Sequence, residues 1–184
     1  MTSKYGLSLI ELLVVVAIAG ILLATLPFSS TSLINTKRTE SDRDMFAALV
    51  QTSRAAAIHL NHPVIFCPGT TAGCGARDSW HLGTIAFADK NRNASYDDDD
   101  PMIGSLPRLS TIVTWRSFRN RKYLRFLSTG TTDWQNGHFK FCPKHIGQAK
   151  AIQLVLNAAG RLYYSKDEDG DGIHEDAQGR DLLC

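Results

Sequence analysis

Residues 7–26 form the feature that most constrains this chain, because they are apolar except for a few small polar residues and one carboxylate, Glu11. A polar segment with a single cation, Lys4, precedes them. About 20 apolar residues in a helix can span the hydrocarbon core of a bilayer. A charged side chain at the centre of such a helix costs about 2.5–3.5 kcal/mol, so Glu11 requires a partner or a function.

Three interpretations of this segment compete. A secretory signal peptide has a charged start and an apolar core, but it also has a small-residue cleavage site after the core, which is not evident here. A plain membrane anchor explains the length but leaves Glu11 without a role. Cleavage between Gly6 and Leu7 would make Glu11 the fifth residue of the mature chain. There it could pair with the N-terminal amine of a neighbouring subunit, which would offset the desolvation of both groups.

Gly6 followed by LSLIE resembles the class III signal of type IV pilins and type II secretion pseudopilins, although Phe is commoner than Leu after the glycine. The resemblance implies that a prepilin peptidase removes residues 1–6 and that Leu7 becomes N-methylated. It also implies that Glu11 acts in subunit assembly. The expected location is the bacterial inner membrane, crossed once with a periplasmic head, and then the pilus filament at the cell surface.

The remainder of the chain predicts an α+β fold. Apolar residues, among them Phe46, Val50, Ala57 and Leu60, recur at helical spacing through residues 28–62, which predicts one buried helix face, and Pro27 before them predicts a kink in one long N-terminal helix. Beyond Pro63, short alternating segments between turn residues predict antiparallel strands. These segments are residues 64–67, 80–88, 102–106, 109–115, 123–127, 138–142, 152–156 and 161–164. The predicted domains are a leader (1–6), a transmembrane and filament-core helix (7–27), an amphipathic half-helix (28–62) and a β-rich head (63–184).

The head contains, in order, the patterns W-x-x-G from Trp80, F-x-D-x-N-x-N from Phe87 and G-x-F-x-x-C from Gly137. Together these resemble the GspH/FimT domain, and their order is nearer to the FimT/FimU pilus branch than to the secretion branch. The resemblance implies a minor pilin of a type IV pilus that acts in a tip or initiation complex. A DNA-uptake receptor and a type II secretion pseudopilin are the alternatives. The expected partners are other pilins, the prepilin peptidase and the inner-membrane assembly platform, with DNA as a further candidate.

Four cysteines, Cys67, Cys74, Cys142 and Cys184, all follow the apolar run. An even number of cysteines in an oxidising compartment favours two disulfide bonds. Three pairings are open from sequence, and Cys67 with Cys74 is the easiest because these residues enclose a short glycine-rich loop. That pairing would leave Cys142 and Cys184 to hold the C-terminus.

Two acidic segments have the alternating oxygen ligands that calcium loops use. In the first, residues 89–100, Ala94 stands where a turn glycine is expected, so we predict a polar loop whose Asp and Asn side chains cap its own backbone. In the second, Gly172 follows three alternating aspartates, and either Glu175 or Asp176 could complete a site. The calcium candidates, the only cofactor ligands that we predict, are Asp167, Asp169, Asp171 and Glu175.

A basic stretch, residues 108–126, mixes cations with aromatic residues, a pattern that suits nucleic acid or a β-hairpin with its rings in the core. The G-R-x-R motif of DNA-uptake pilins is only half kept at Gly160-Arg161, and the net charge of +2 implies no polyanionic partner. The candidate DNA-binding residues are Arg116, Arg119, Arg121, Lys122 and Arg161. No nucleophile-elbow, zinc-protease or P-loop motif occurs, so we expect a protein that is not an enzyme.

Overall fold

The computed structural model describes residues 8–24, 30–119, 121–144 and 150–184. Helix α1 spans Leu9–Ala24, 16 residues taken entirely from the apolar run. Ser8 caps its first turn, since its hydroxyl oxygen accepts a hydrogen bond from the amide of Glu11 at 3.3 Å. Among the described residues, no helix combines the length and apolar character needed to cross a membrane. Pro27, where we predicted the kink, lies outside the described residues.

Contacts divide the chain into two compact units, Met1–Thr36 and Lys37–Cys184. The second unit, called the C-terminal unit below, contains most of helix α2, which spans Ser30–Leu60. Phe46, Val50 and Ala57 are fully buried on one face of α2, as the helical spacing predicted. Leu60, which we placed on the same face, is 40% exposed because it is the last residue of the helix.

The described residues of the C-terminal unit form nine antiparallel strands in two sheets. The first sheet has the order β2-β1-β3-β4, with β6 also paired to β1, and the second has the order β5-β7-β8-β9. The strands are β1 (Val64–Thr70), β2 (Gly73–Cys74), β3 (Thr84–Ala88), β4 (Met102–Leu106), β5 (Thr111–Ser117), β6 (Leu124–Phe126), β7 (Gly137–Pro143), β8 (Ile152–Leu156) and β9 (Leu162–Tyr164).

Two of our strand predictions were wrong. Residues 80–88 do not form one strand, because Trp80–Leu82 is a short 3-10 helix and strand β3 begins only after Gly83. The φ angle of Gly83 is 151°, a conformation that side chains rarely adopt, so the alternation of side chains is interrupted there. The basic stretch is not a β-hairpin either, since β5 pairs with β7 in one sheet while β6 pairs with β1 in the other.

Phe46 of α2 lies where the two sheets meet. Its ring centroid is 5.1 Å from that of Phe66 on β1, and 4.7 Å and 5.4 Å from those of Phe139 and Phe141 on β7. The ring of Trp80 is 6.1 Å away. These edge-to-face contacts, all among fully buried side chains, bring the helix and both sheets into one hydrophobic core.

Asp42 connects the same helix to the start of β5 by polar contacts. Its Oδ2 accepts hydrogen bonds from the hydroxyl of Ser110 (2.7 Å) and from the amide (2.9 Å) and hydroxyl (2.8 Å) of Thr111. The Asp42 residue is 6% exposed and Thr111 is 1% exposed, so water cannot easily replace these bonds. The three bonds therefore fix the position of α2 along the second sheet.

Replacing Asp42 with alanine should lower the free energy of unfolding of the C-terminal unit by about 1–3 kcal/mol, because buried donors on Thr111 would lose their acceptor. Urea titration followed by tryptophan fluorescence would measure the change. Asp44→Ala is the matched control, since that carboxylate pairs with Arg43 on the exposed side of the helix and its side chain is 58% exposed. Equal effects of the two substitutions would contradict the assigned role of Asp42.

Candidate functional site

Glu11 lies in the first turn of α1, the end at which a carboxylate is favourable. Its amide donates to Ser8, and its side chain is exposed. Large apolar side chains surround it along the helix and are also exposed, from 80% at Leu9 to 51% at Val14. Gly6 and Leu7, where we predicted cleavage and N-methylation, lie outside the described residues. Helix α1 therefore presents an apolar surface with one carboxylate in its first turn.

The first acidic segment, residues 89–100, caps its own backbone, as predicted. Asp89 is fully buried and accepts hydrogen bonds from the amides of Asn93 (3.0 Å) and Ala94 (3.1 Å). Asn91 and Asn93 each donate a side-chain amide to Asp97, and these two bonds lower the pKa of the Asp97 carboxyl. The segment covers the outer face of the first sheet, where the ring of Tyr96 lies 5.2 Å from that of Phe87. Its carboxylates thus have a structural role.

The second acidic segment forms a turn between β9 and the C-terminus, and we call residues 167–175 the acidic turn. One carboxylate oxygen from each of four residues lies within 4.8 Å of the other three, which brings the four predicted calcium candidates together. Asp167 organises the turn, since its two oxygens accept hydrogen bonds from the amides of Gly170 (2.7 Å) and Gly172 (2.8 Å). Both glycines have φ near +80°, as a sharp wrap of the chain requires. The four residues are Asp167, Asp169, Asp171 and Glu175.

The structure distinguishes between the two residues that we considered for closing this site. Asp176 turns to Arg180, whose Nε and Nη2 donate to its Oδ2 at 2.9 Å and 2.6 Å. That interaction lowers the pKa of the Asp176 carboxyl to about 2. Glu175 instead points into the acidic turn, where it is only 9% exposed. Arg180 lies four residues after Asp176 in the sequence, and this spacing is the signal that could have distinguished Asp176 from Glu175.

The basic stretch does not form a free cationic surface. Arg119 and Arg121 both lie beside Asp133, with nitrogen–oxygen distances of 3.7 Å and 3.0 Å. Arg125 lies 3.6 Å from the buried carboxylate of Asp89. The rings of Trp115 and Phe126 are buried, so they cannot stack on bases. These contacts leave little support for DNA binding here, and our sequence reasoning had missed Asp133 because nothing local marks it as a partner.

The other three candidate DNA-binding residues are Arg116, Lys122 and Arg161. None of them lies beside Asp133, the carboxylate that Arg119 and Arg121 share. Arg116 points outward from β5, and Lys122 is exposed beyond it. Arg161 lines a groove of about 760 Å³ between α2 and the turn that precedes β9. In the parts of the chain that the structure describes, none of the three forms an ion pair within 4.0 Å.

Both disulfide bonds have the pairing that we considered easiest. Cys67 is bonded to Cys74 across the turn between β1 and β2. Cys142 on β7 is bonded to Cys184, 42 residues further along the chain. A backbone bridge between Lys150 and Leu183 reinforces the second connection, and a bridge between Glu175 and Asp181 closes the C-terminal tract on itself. The C-terminal tract that includes the acidic turn is therefore held against the second sheet.

Two family models match the sequence. The model described as type II transport protein GspH matches residues 44–160, and the prokaryotic N-terminal methylation motif matches residues 1–27. The first match covers α2 from Asp44 and strands β1 to β8, and the second covers the apolar run with Glu11. No curated protein sequence matches this chain significantly.

Solved structures with a similar fold include two crystal forms of the type IV minor pilin FimU from Pseudomonas aeruginosa strain PAO1. One matches with a TM-score of 0.55 and 14% identity, covering 71% of this chain and 90% of FimU. The other matches with a TM-score of 0.50 and 15% identity, covering 69% of this chain and 92% of FimU. At this identity the likeness concerns the fold, which is the α+β, pilin-like fold that we predicted.

Proposed function

Because the chain belongs to the GspH family of type IV pilin-like proteins, we propose that it is a minor pilin that is processed after Gly6 and built into the tip or initiation complex of a type IV pilus. The observation that carries the proposal is the exposed apolar helix α1 with Glu11 in its first turn, on the same chain as a disulfide-bonded head. A soluble monomer rarely exposes so large an apolar surface. The surface therefore requires lipid or the same helix of other subunits around it.

The proposed sequence of events follows from this surface. The apolar segment first holds the subunit in the inner membrane, with the C-terminal unit in the periplasm. In the filament the same side chains pack against neighbouring subunits, and Glu11 pairs with the amine of a neighbouring mature N-terminus. Among apolar side chains an unpaired carboxylate is costly, so this pairing favours one axial register over the others. The C-terminal unit supplies the contacts that determine where in the filament the subunit is placed.

The two alternative functions, a type II secretion pseudopilin and a DNA-uptake receptor, have less support than a minor pilin. The likeness to FimU favours a pilus over a type II secretion system, and a deletion strain would separate the two by loss of pili or loss of exoprotein secretion. DNA binding gains no support from the structure, because Arg119 and Arg121 already lie beside Asp133.

Glu11→Ala should leave the protein in the membrane but reduce its incorporation into filaments by about 100-fold or more. Removing one partner of a buried ion pair costs about 3–5 kcal/mol, since the other charge remains buried without compensation. Immunoblots of sheared filaments and of membrane fractions would measure both quantities. Incorporation at the wild-type level would refute the proposed pairing.

Two further variants make this experiment specific. Glu40→Ala removes a carboxylate that pairs with Lys37 at 2.8 Å on the exposed side of α2, and it should incorporate normally. Gly6→Asp should instead stop the protein one step earlier, as an unprocessed precursor in the membrane. Processing of the Gly6→Asp variant at the wild-type rate would contradict cleavage after Gly6.

A further inference from the structure

The acidic turn holds four carboxylates at a spacing that suits a metal ion. Calcium binds oxygen ligands at about 2.3–2.6 Å, so two ligands on opposite sides of one ion lie about 5 Å apart. The oxygens of Asp167, Asp169, Asp171 and Glu175 lie within 4.8 Å of one another, which is inside that limit. Magnesium binds at about 2.0–2.1 Å and would require the oxygens to close to about 4 Å. The spacing therefore favours calcium.

Glu175 supplies an independent observation, because it is nine-tenths buried and only one of its carboxylate oxygens is satisfied. Its Oε2 accepts a hydrogen bond from the amide of Glu168 at 2.8 Å. Its Oε1 is buried and has no hydrogen-bond donor among the described residues. A buried carboxylate oxygen without a donor is destabilising, and such groups in native proteins are usually paired or coordinate a metal. The carboxylate points into the acidic turn, where a cation would satisfy it.

Lys150 lies beside the acidic turn. Its ammonium group donates to the carbonyl oxygen of Asp171 at a long distance, 3.5 Å, and lies 2.7 Å from the position that a Cβ on residue 172 would occupy. Among the described residues it forms no ion pair within 4.0 Å with a carboxylate of the turn. One ammonium group does not balance four carboxylates, and a divalent cation would balance more of their charge.

We propose that the acidic turn binds one calcium ion through Asp167, Asp169, Asp171 and Glu175. The fourth carboxylate comes from the ninth position of the loop, since Gln178 stands at the twelfth, where an EF-hand has its bidentate glutamate. Backbone hydrogen bonds hold the C-terminal tract together around this site, because the amide of Glu175 donates to the carbonyl oxygen of Lys166 (2.9 Å) and that of Leu182 donates to the carbonyl oxygen of His174 (2.8 Å). The inference is independent of the proposed pilus function.

Calorimetric titration of the full chain in detergent micelles, after treatment with a chelator, tests the proposal. Calcium chloride should bind with one-to-one stoichiometry and a dissociation constant of about 0.1–1 mM, the range of extracellular calcium modules. Magnesium chloride should bind at least about tenfold more weakly, because it requires shorter ligand distances. Absence of saturable calcium binding up to about 10 mM would overturn the proposal.

Matched variants assign the site to its residues. Glu175→Gln should weaken calcium binding at least about tenfold, since it removes a charged ligand. Glu168→Gln makes the same charge change in the same turn, at a side chain that is exposed and outside the cluster, and it should leave the affinity within about twofold. Asp169→Asn changes an exposed ligand, so it should fold even if Glu175→Gln does not, and it should also weaken calcium binding. Equal affinities of the ligand variants and Glu168→Gln would overturn the proposal.

Discussion

Phe46→Ala should lower the free energy of unfolding of the C-terminal unit by about 3–5 kcal/mol, which is the cost of removing a large aromatic ring from a packed core. The ring has no exposed surface and contacts aromatic side chains from both sheets and from the 3-10 helix. The loss is comparable with the whole stability of a marginal domain, about 5–15 kcal/mol. Urea titration would measure it, with the fluorescence of the buried Trp80 and Trp115 as the signal.

Phe118→Ala is the matched control for this experiment. The Phe118 side chain is 78% exposed just after β5, so its removal should change the free energy of unfolding by less than about 0.5 kcal/mol. If Phe46→Ala were as mild as this control, Phe46 could not be the contact that joins the helix to both sheets.

Removing the disulfide between Cys142 and Cys184 should lower the free energy of unfolding of the C-terminal unit by about 2–5 kcal/mol, which is the second large effect that we expect. The bond closes a segment of 42 residues, and a loop of that length gives about 4 kcal/mol in the chain-entropy model. The double variant Cys142→Ser, Cys184→Ser reports mainly on the cross-link, because Cys184 is exposed and Cys142 only half-buried. Unfolding in urea measures the loss of stability.

The same variant should also loosen the C-terminal tract locally. Amide hydrogen exchange should accelerate in residues 166–184 and remain slow in β1 and β3, which belong to the other sheet. A matched variant in the other disulfide, Cys74→Ser with Cys67→Ser, should leave exchange in residues 166–184 unchanged, since that bond joins β1 to β2 in the first sheet. Unchanged exchange in both variants, with less than about 0.5 kcal/mol lost, would contradict a stabilising role for the Cys142–Cys184 bond.

Local patterns predicted the elements well where the deciding interaction is local. The spacing of Phe46, Val50 and Ala57 predicted the buried face of α2, and residues 152–156 were predicted as a strand with the bounds that the structure has. The prediction failed at Trp80, because Trp80–Leu82 is a 3-10 helix and Gly83 has a φ of 151° before strand β3 begins. The periodicity of side chains carries no information about such a backbone conformation.

The candidate sites also differ in how far they could be predicted, because some depend on residues close in sequence and others on distant residues. The D-x-D-x-D-G pattern of the acidic turn is local, so the sequence predicted the cluster that the structure brings together. The choice of Glu175 over Asp176 depended on Arg180, which is close in sequence and could have been considered. By contrast, the pairing of Arg119 and Arg121 with Asp133 joins residues 14 and 12 positions apart on either side of strand β6, and no spacing rule predicts it.

The sequence by itself determined the apolar N-terminal segment with Glu11, the helix and most strands, and the ligand pattern of the acidic turn, because each depends on residues within a few positions of one another. The tertiary structure alone decided which strands share a sheet, which cations are neutralised and which glutamate is buried. These outcomes depend on contacts between distant segments, such as the bonds from Asp42 to Ser110 and Thr111, whose free energy becomes available only when the core around Phe46 has formed.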